Sequence, residues 1–499
     1  MAPDEASFLG KPKPESFIGR FLVLRGAVRE LWIVFGCKAL AFAAYGLVNS
    51  TLVLWLSSDL GFDDVRAGLV VASWSTVMTL CTVMVGSLVD AIGLRRAMLI
   101  GSTLCVVARG VMAFALSRWV ALPLGLLPLA VGESLMTPVM VAAVKRFATT
   151  KQRSMSFSMF YVMMNLGLFV AGWGFDKVRT LLGEHGRYQL PWAGITLSTY
   201  QTIILLGFLV TIPNLLIIYS WLRPGVEATD EGVRIEPERP KYSHEPLLKA
   251  AGLSLRDALR EWKRIFTGLW TQPAFYRFLA FLTLAVAVRL IIFNWYYIFP
   301  KYGIRELGEG APIGRIFLSL NTGLIIILAP IIGALTQRLS AYKVVIIGSF
   351  IAAASVFFMA MPPQWFRPLA DAWLGELIAH RWLGVKDLAV NPLYVAIVLS
   401  VVVYSIGEAF YSPRLYEYPA AIAPKGQEAS YMSLSFLPYF VAKFFVGGLS
   451  GFLLRAYCPA QGPRSSGTMW AIIGVMAMIT PFGLLVFRRY IQVPEAGRQ

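Results

Sequence analysis

The sequence predicts an all-α polytopic membrane protein with twelve transmembrane helices in two six-helix bundles. Three observations carry that prediction. Apolar residues make up 57% of the 499-residue chain against 15% charged, and the mean hydropathy is +0.64. So little charge leaves no polar surface for a water-soluble chain of this size. The apolar residues also fall in successive runs of about twenty, the length that crosses a bilayer core as a helix. Finally, a polar hairpin in the first half has an echo in the second, as duplicated halves require.

The runs lie near 30–55, 67–89, 97–117, 122–143, 155–175, 200–222, 276–299, 314–337, 343–361, 392–413, 429–454 and 468–488. They divide the chain into a tail (1–29), a first bundle (30–222), a linker (223–275), a second bundle (276–488) and a tail (489–499). The opening MAPDEASFLGKPKPESF is polar and lacks a short cleavable apolar core, so no signal peptide is expected.

The hairpin is GSLVDAIGLRRAMLIGS (86–102), which leaves span 2, turns, and starts span 3. Its turn packs Asp90, Arg95 and Arg96 together, and Gly93 suits the reversal. The echo, GALTQRLSAYKVVIIGS, occupies 333–349: Gly333 stands for Gly86, Leu335 for Leu88, Lys343 for Arg96, and the closing Gly-Ser repeats. An acid facing cationic side chains and helix ends is expected to act as a gating latch, with Asp90, Arg95 and Arg96 as its parts.

The net charge of +17 is not a nucleic-acid signal, because the bases concentrate in the tails and in alternate loops. The positive-inside rule then puts both termini in the cytoplasm, and the plasma membrane is the expected location. Cys37, Cys81, Cys105 and Cys458 show no paired spacing, so neither a disulfide framework nor a metal site is expected, and no cofactor either. The linker opens with the Pro-rich, mixed-charge RPGVEATDEGVRIEPERPKYSHEP, expected to be extended and mobile. Beyond it, Leu255, Leu259, Trp262, Phe266 and Leu269 recur at helical spacing among Arg256, Arg260, Lys263 and Arg264, a basic amphipathic helix for the inner leaflet. The loops 176–199 and 362–391 carry Trp and His and are assigned no chemistry.

The informative residues are the charges within spans: Lys38, Arg109, Glu133, Arg289, Glu408 and Lys443. Each costs roughly 2.5–3.5 kcal/mol at the centre of an isolated helix, so they must pair or face a watery cavity. Spacing favours a cavity for several. Lys38, Phe42, Tyr45 and Asn49 form one stripe on span 1, and Tyr404, Glu408 and Tyr411 one face of span 10. Glu133 precedes Thr137 by a turn on span 4, Tyr439 precedes Lys443 on span 11, and Arg289 and Tyr296 lie two turns apart on span 7. Arg109 is read as a structural ion-pair partner. Together the six hold four cations and two acids, a positive surplus that suits a carboxylate or another anion.

The hairpin resembles the loop signature of the major facilitator superfamily, with Ala91 and Leu94 at two places where bases are common. Two stretches narrow the resemblance to the proton-dependent oligopeptide transporters. In RSMSFSMFYVMMNLGLF (153–169), Phe160, Tyr161, Asn165 and Gly167 match a family segment. In GEAFYSPRLYEYPAAIAPKGQEASYMSLSFLP (407–438), Glu408, Ser412, Pro413, Ala423, Pro424 and Met432 match another. The family's first-helix E-x-x-E-R-F-x-Y-Y motif is largely lost: Phe42 and Tyr45 survive, while Cys37, Leu40 and Ala41 replace its acids and arginine. The family's span-4 lysine falls on Thr137.

The resemblance implies alternating-access transport of small peptides or peptide-like solutes with protons, by a monomer within the lipid bilayer. The expected substrate site comprises Lys38, Tyr45, Asn49, Thr137, Asn165, Arg289, Tyr296, Tyr404, Glu408 and Lys443, with Glu408 and Glu133 carrying protons. The alternative is a transporter or exchanger for another small organic solute, anionic solutes included, without proton coupling. An enzyme is not expected: no His falls in a span, and no nucleophile cluster appears.

Overall fold

The computed structural model describes residues 23–149, 152–191, 194–235, scattered positions within 242–267, 273–336, 339–422 and 437–492. Eleven helices among the described residues are long and apolar enough to cross a membrane. A further helix, Leu437–Tyr457, stands where the eleventh span is expected. In chain order these are α1 (Arg29–Ser58), α2 (Asp64–Ile92), α3 (Leu94–Phe114), α4 (Arg118–Phe147), α5 (Arg153–Leu182) and α6 (Thr199–Trp221). The second set is α7 (Pro273–Tyr297), α8 (Arg315–Gly333), α9 (Ala341–Ala360), α10 (Pro392–Ile422), α11 (Leu437–Tyr457) and α12 (Ser466–Val486). The chain is an all-helical integral membrane protein.

Local chemistry sets the breaks. Gly93, at φ 88°, makes the α2–α3 reversal in a region that side chains disfavour. Ser198 starts α6 with a capping box, accepting from the Gln201 backbone N–H while the Gln201 side chain accepts from Ser198 N–H. Pro138, Pro213, Pro330 and Pro481 sit inside helices, where packed neighbours offset the lost ladder bond.

In the first set, α1 packs on α5 and α6, α3 on α4 and α6, and α2 on α4. In the second, α9 packs on α10 and α12, α7 on α12, and α8 on α10. The most extensive crossings between the sets are α2 on α11 and α5 on the first turns of α8. Small residues allow both. A Cβ on Gly447 would collide with Ala72 and the Gly68 carbonyl, and one on Gly172 with Ser319 and the Gly314 carbonyl. The helices alternate in direction, so both chain ends share a face; the opposite face is called distal below.

Two expectations need correction. Helix α5 runs on to Leu182, past the expected end near 175, because its last turn carries a buried ionic cluster. The linker's opening contains an antiparallel hairpin, β3 (Val226–Thr229) with β4 (Gly232–Ile235), anchored by the fully buried Val226; β1 (Arg187–Gln189) and β2 (Thr196–Ser198) pair in the α5–α6 loop. A short distal helix, Phe299–Leu307, follows α7. The described positions of 252–267 are helical as expected, with Leu255 and Leu259 exposed; Trp262, Phe266 and Leu269 lie outside the described residues.

Candidate functional site

Charged residues gather at two levels, and the distal level is the denser. Asp64, at the start of α2, accepts from Lys301 Nζ at 2.8 Å and Arg305 Nη2 at 2.9 Å, both on the short helix after α7. Lys301 also donates to Ser57 Oγ at 2.5 Å. Burial pulls the Lys301 ammonium below the usual lysine range, and the Asp64 carboxylate offsets this only in part.

A second cluster lies on α5. Asp176 caps the start of α8 in the other set: its carboxylate accepts from Gly314 N at 2.8 Å and Arg315 N at 2.7 Å. An anion there meets unpaired N–H groups and the positive end of the helix dipole. Arg179 is fully buried, pairs with Asp176 and Glu184, and donates to the Ala311 carbonyl at 2.9 Å. Glu184 also accepts from Tyr200 at 2.8 Å and Gly310 N at 3.1 Å. Burial alone would raise the Glu184 carboxyl, but the Arg179 charge and these hydrogen bonds outweigh it and hold it below the usual range. Among the described residues, every ion pair between the two helix sets lies at this face.

The mid-membrane level carries the residues expected from sequence. Glu408 is buried on α10 and accepts from Asn321 Nδ2 at 2.9 Å, with Arg289 and Tyr296 as electrostatic neighbours. Arg289 donates to Ser412 Oγ at 3.0 Å and stacks 5.4 Å over the Tyr411 ring. Lys443 on α11 reaches across to α2, donating to Thr79 Oγ1 at 3.2 Å, with the Phe293 ring 5.7 Å away. Lys38, 1% exposed, lies between the Phe42 and Phe160 rings at 3.9 and 4.3 Å. Tyr45 has Tyr296 and Tyr297 of the second set as electrostatic neighbours. These residues come together about the contact between the sets.

Others do not. Arg109 pairs with Glu133 and donates to Thr211 Oγ1 at 2.7 Å, an interior clamp of α3, α4 and α6. Asn49 donates to Tyr45 Oη at 3.2 Å, and Asn165 to the Tyr161 carbonyl one turn back at 2.9 Å. Tyr404 is fully buried, its hydroxyl 3.0 Å from that of Tyr411 and its ring 4.5 Å from Trp295. The side chains of Asp90, Thr137 and Tyr439 lie outside the described residues, as does Met432. Arg95 donates to the Tyr219 carbonyl at 2.6 Å, and Arg96 is exposed.

Sequence reasoning missed the distal clusters, having assigned residues 176–199 no chemistry. The signal was present: Asp176 and Arg179 at i, i+3 extend an apolar helix, and Lys301 and Arg305 at i, i+4 follow α7. A cavity of about 450 Å³ on the distal face, lined by Asp59, His185, Arg187 and Gln201 among others, holds none of the expected site residues.

The sequence profile of the Major Facilitator Superfamily matches residues 34–380. Among solved structures, the chain is similar to a POT family transporter in complex with 5-aminolevulinic acid (TM-score 0.67, 16% identity, covering 96% of this chain and 98% of that one). It is likewise similar to a POT family transporter in complex with a thioalcohol-conjugated peptide (TM-score 0.66, 16% identity, 93% and 97%). A third is the peptide transporter POT in complex with sulfate (TM-score 0.64, 17% identity, 93% and 95%). No curated protein matches the chain. At these identities the likeness is one of fold.

Proposed function

The chain belongs to the major facilitator superfamily and is a secondary transporter, and we propose that it carries small peptides or peptide-like solutes together with protons. The observation that carries this reading is Glu408: a buried acid at mid-membrane, held by Asn321 and next to Arg289, where a solute amino group is received and a proton is taken up. Lys38, Tyr45, Arg289, Tyr296 and Lys443 complete the proposed site around it. Asn49, Asn165 and Tyr404, whose hydrogen bonds stay within their own helices, shape it from behind. The relatives solved with a peptide conjugate and with an amino acid favour such solutes.

Transport proceeds by rocking the bundle 30–222 against the bundle 276–488. With both termini cytoplasmic, the distal face is the outer one, and the Asp90–Arg95–Arg96 turn is the opposing latch. Glu133 is a second proton candidate, but its pairing with Arg109 favours a structural role.

The test is uptake of a labelled dipeptide by proteoliposomes, with and without an inward proton gradient, beside Glu408→Gln. Gradient-stimulated uptake that the variant loses is expected. Uptake indifferent to the gradient supports a second reading, transport without coupling, which is favoured by Cys37, Leu40 and Ala41 in place of the family's first-helix acids and arginine. No dipeptide uptake by a folded sample overturns the peptide reading.

A further inference from the structure

Helix α1 ends on a carboxylate in an unfavourable place. Asp59 is its C-cap residue, so the acid meets the negative end of the helix dipole. Ser198 Oγ donates to its Oδ2 at 2.6 Å. Its charge neighbour is His185, but that ring is exposed, lies 3.6 Å from Glu309, and is a cation only when protonated. Among the described residues, no cation comes within ion-pair distance of Asp59. Burial lifts the Asp59 carboxyl above its usual range, and the Ser198 bond and His185 offset this only in part.

Asp59 lines the distal cavity of about 450 Å³, and Arg187 stands on the same wall. The β1–β2 register sets their relation, because Arg187 lies opposite Ser198, the residue that holds Asp59. Residues directly opposite on an antiparallel pair share a face, with Cα atoms roughly 4.5–5.5 Å apart. Arg187 is exposed and, among the described residues, has no acid within ion-pair distance. The other acid of the wall, Glu184, is already held by Arg179, Tyr200 and Gly310 N. The lining residues all belong to the first helix set, so the cavity travels with that bundle as a unit. It is also remote from the mid-membrane site: Asp59 lies about 30 Å beyond Lys38 along α1, at roughly 1.5 Å per residue.

We propose that this cavity is a second solute site, which takes a short zwitterion (a free amino acid or a dipeptide) with its ammonium on Asp59 and its carboxylate on Arg187. One acid and one base on a shared wall match the two ends of such a solute in sign. An extended dipeptide spans roughly 7 Å, and the cavity is of the size that small-molecule sites have. An ammonium there supplies the cation missing at the end of α1. Ser198 holds Oδ2 of Asp59, which leaves Oδ1 to the solute, and Ser58 and Thr196 add hydroxyls to the wall. The site stands apart from Glu408 and does not rest on the peptide reading.

The test is maleimide labelling of Thr196→Cys, an exposed position on the cavity wall, in the purified protein, with the rate of the chain lacking that cysteine subtracted. Saturating Ala-Ala should slow labelling about tenfold. N-acetyl-Ala-Ala, which lacks the ammonium, and Ala-Ala amide, which lacks the carboxylate, should give no such protection at the same concentration. Asp59→Asn and Arg187→Gln should each raise the half-protecting concentration about tenfold or more, the scale of one charge-assisted hydrogen bond. Glu408→Gln should leave the protection in place. No protection by Ala-Ala, or equal protection by the blocked peptides, overturns the inference without a second variant having to fold. Protection that Glu408→Gln abolishes overturns it as well, and each of these results leaves the peptide reading to its own uptake test. Protection in a protein that takes up no dipeptide keeps this site and overturns the peptide reading alone.

Discussion

The distal seal and the mid-membrane site are built from the same residue types used in opposite ways. At the distal face three acids are saturated: Asp64 holds two cations, Asp176 caps a helix, and Glu184 takes Arg179, Tyr200 and a backbone amide. At mid-membrane, cations outnumber the acids they touch, and aromatic rings fill the places of counter-ions. Saturation makes a stable contact between two moving halves. Incompleteness makes a place for a solute. The same chemistry serves closure in one layer and selection in the other.

The largest expected effect comes from breaking the saturated layer at its centre. Arg179→Ala leaves Asp176 and Glu184 buried without their shared cation, a loss of about 3–5 kcal/mol for removing one partner of a buried pair. A lower melting temperature is expected, along with a longer distance between spin labels at Arg66→Cys and Glu309→Cys, exposed positions on opposite sides of the seal. An unchanged distance would mean that the cluster stabilises α5 alone and does not hold the halves together.

The two layers also differ in how far they can be read from sequence. Glu408, Lys38 and Lys443 stand out because charge within an apolar run is costly wherever it is found, so single residues signal themselves. The distal acids lie at helix ends, where charge is ordinary. Their meaning comes from partners in the other helix set, such as the Gly314 amide 138 residues from Asp176. The positions of the spans and the Gly93 reversal were legible because each is local. The extension of α5 and the β3–β4 hairpin were not, since tertiary contacts override composition there. Motif residues were legible as a pattern but not as a role. Phe160 turns out to face Lys38, and Gly167 lets α5 approach α1, where a Cβ would collide with the Ala39 carbonyl.

A smaller effect is expected from Asp64→Asn, which keeps the shape of the carboxyl and weakens its bonds to Lys301 and Arg305. Hydrogen bonds to charged groups are worth about 1.5–3 kcal/mol, so the labelled distance should shift partway toward the open value. Gly447→Ala tests the seal without touching charge. The added methyl meets Ala72 and the Gly68 carbonyl only while α2 and α11 are crossed, and overpacking of this kind costs about 1–3 kcal/mol. Opening of the distal face with normal thermal stability is expected. A fall in stability with no opening would place the strain within one bundle.

The smallest effect sharpens the comparison most. Glu184 titrates below the ordinary carboxylate range in the folded protein, because the Arg179 charge and its hydrogen bonds outweigh burial. A depressed acid contributes stability that is fully present above its unfolded pKa and lost only as pH falls through the lower, folded value. The distal distance should therefore stay constant from pH 8 to pH 5 and lengthen only below about pH 4. His185 meets Glu309 at the water-exposed rim, where an ion pair adds little. Glu184 then contributes nothing to a transport response between pH 8 and 5, and such a response is expected from the unsaturated layer around Glu408. Distance measurements across that range separate the two: movement at the distal face would show that the seal itself senses protons, and constancy would leave proton sensing to the site.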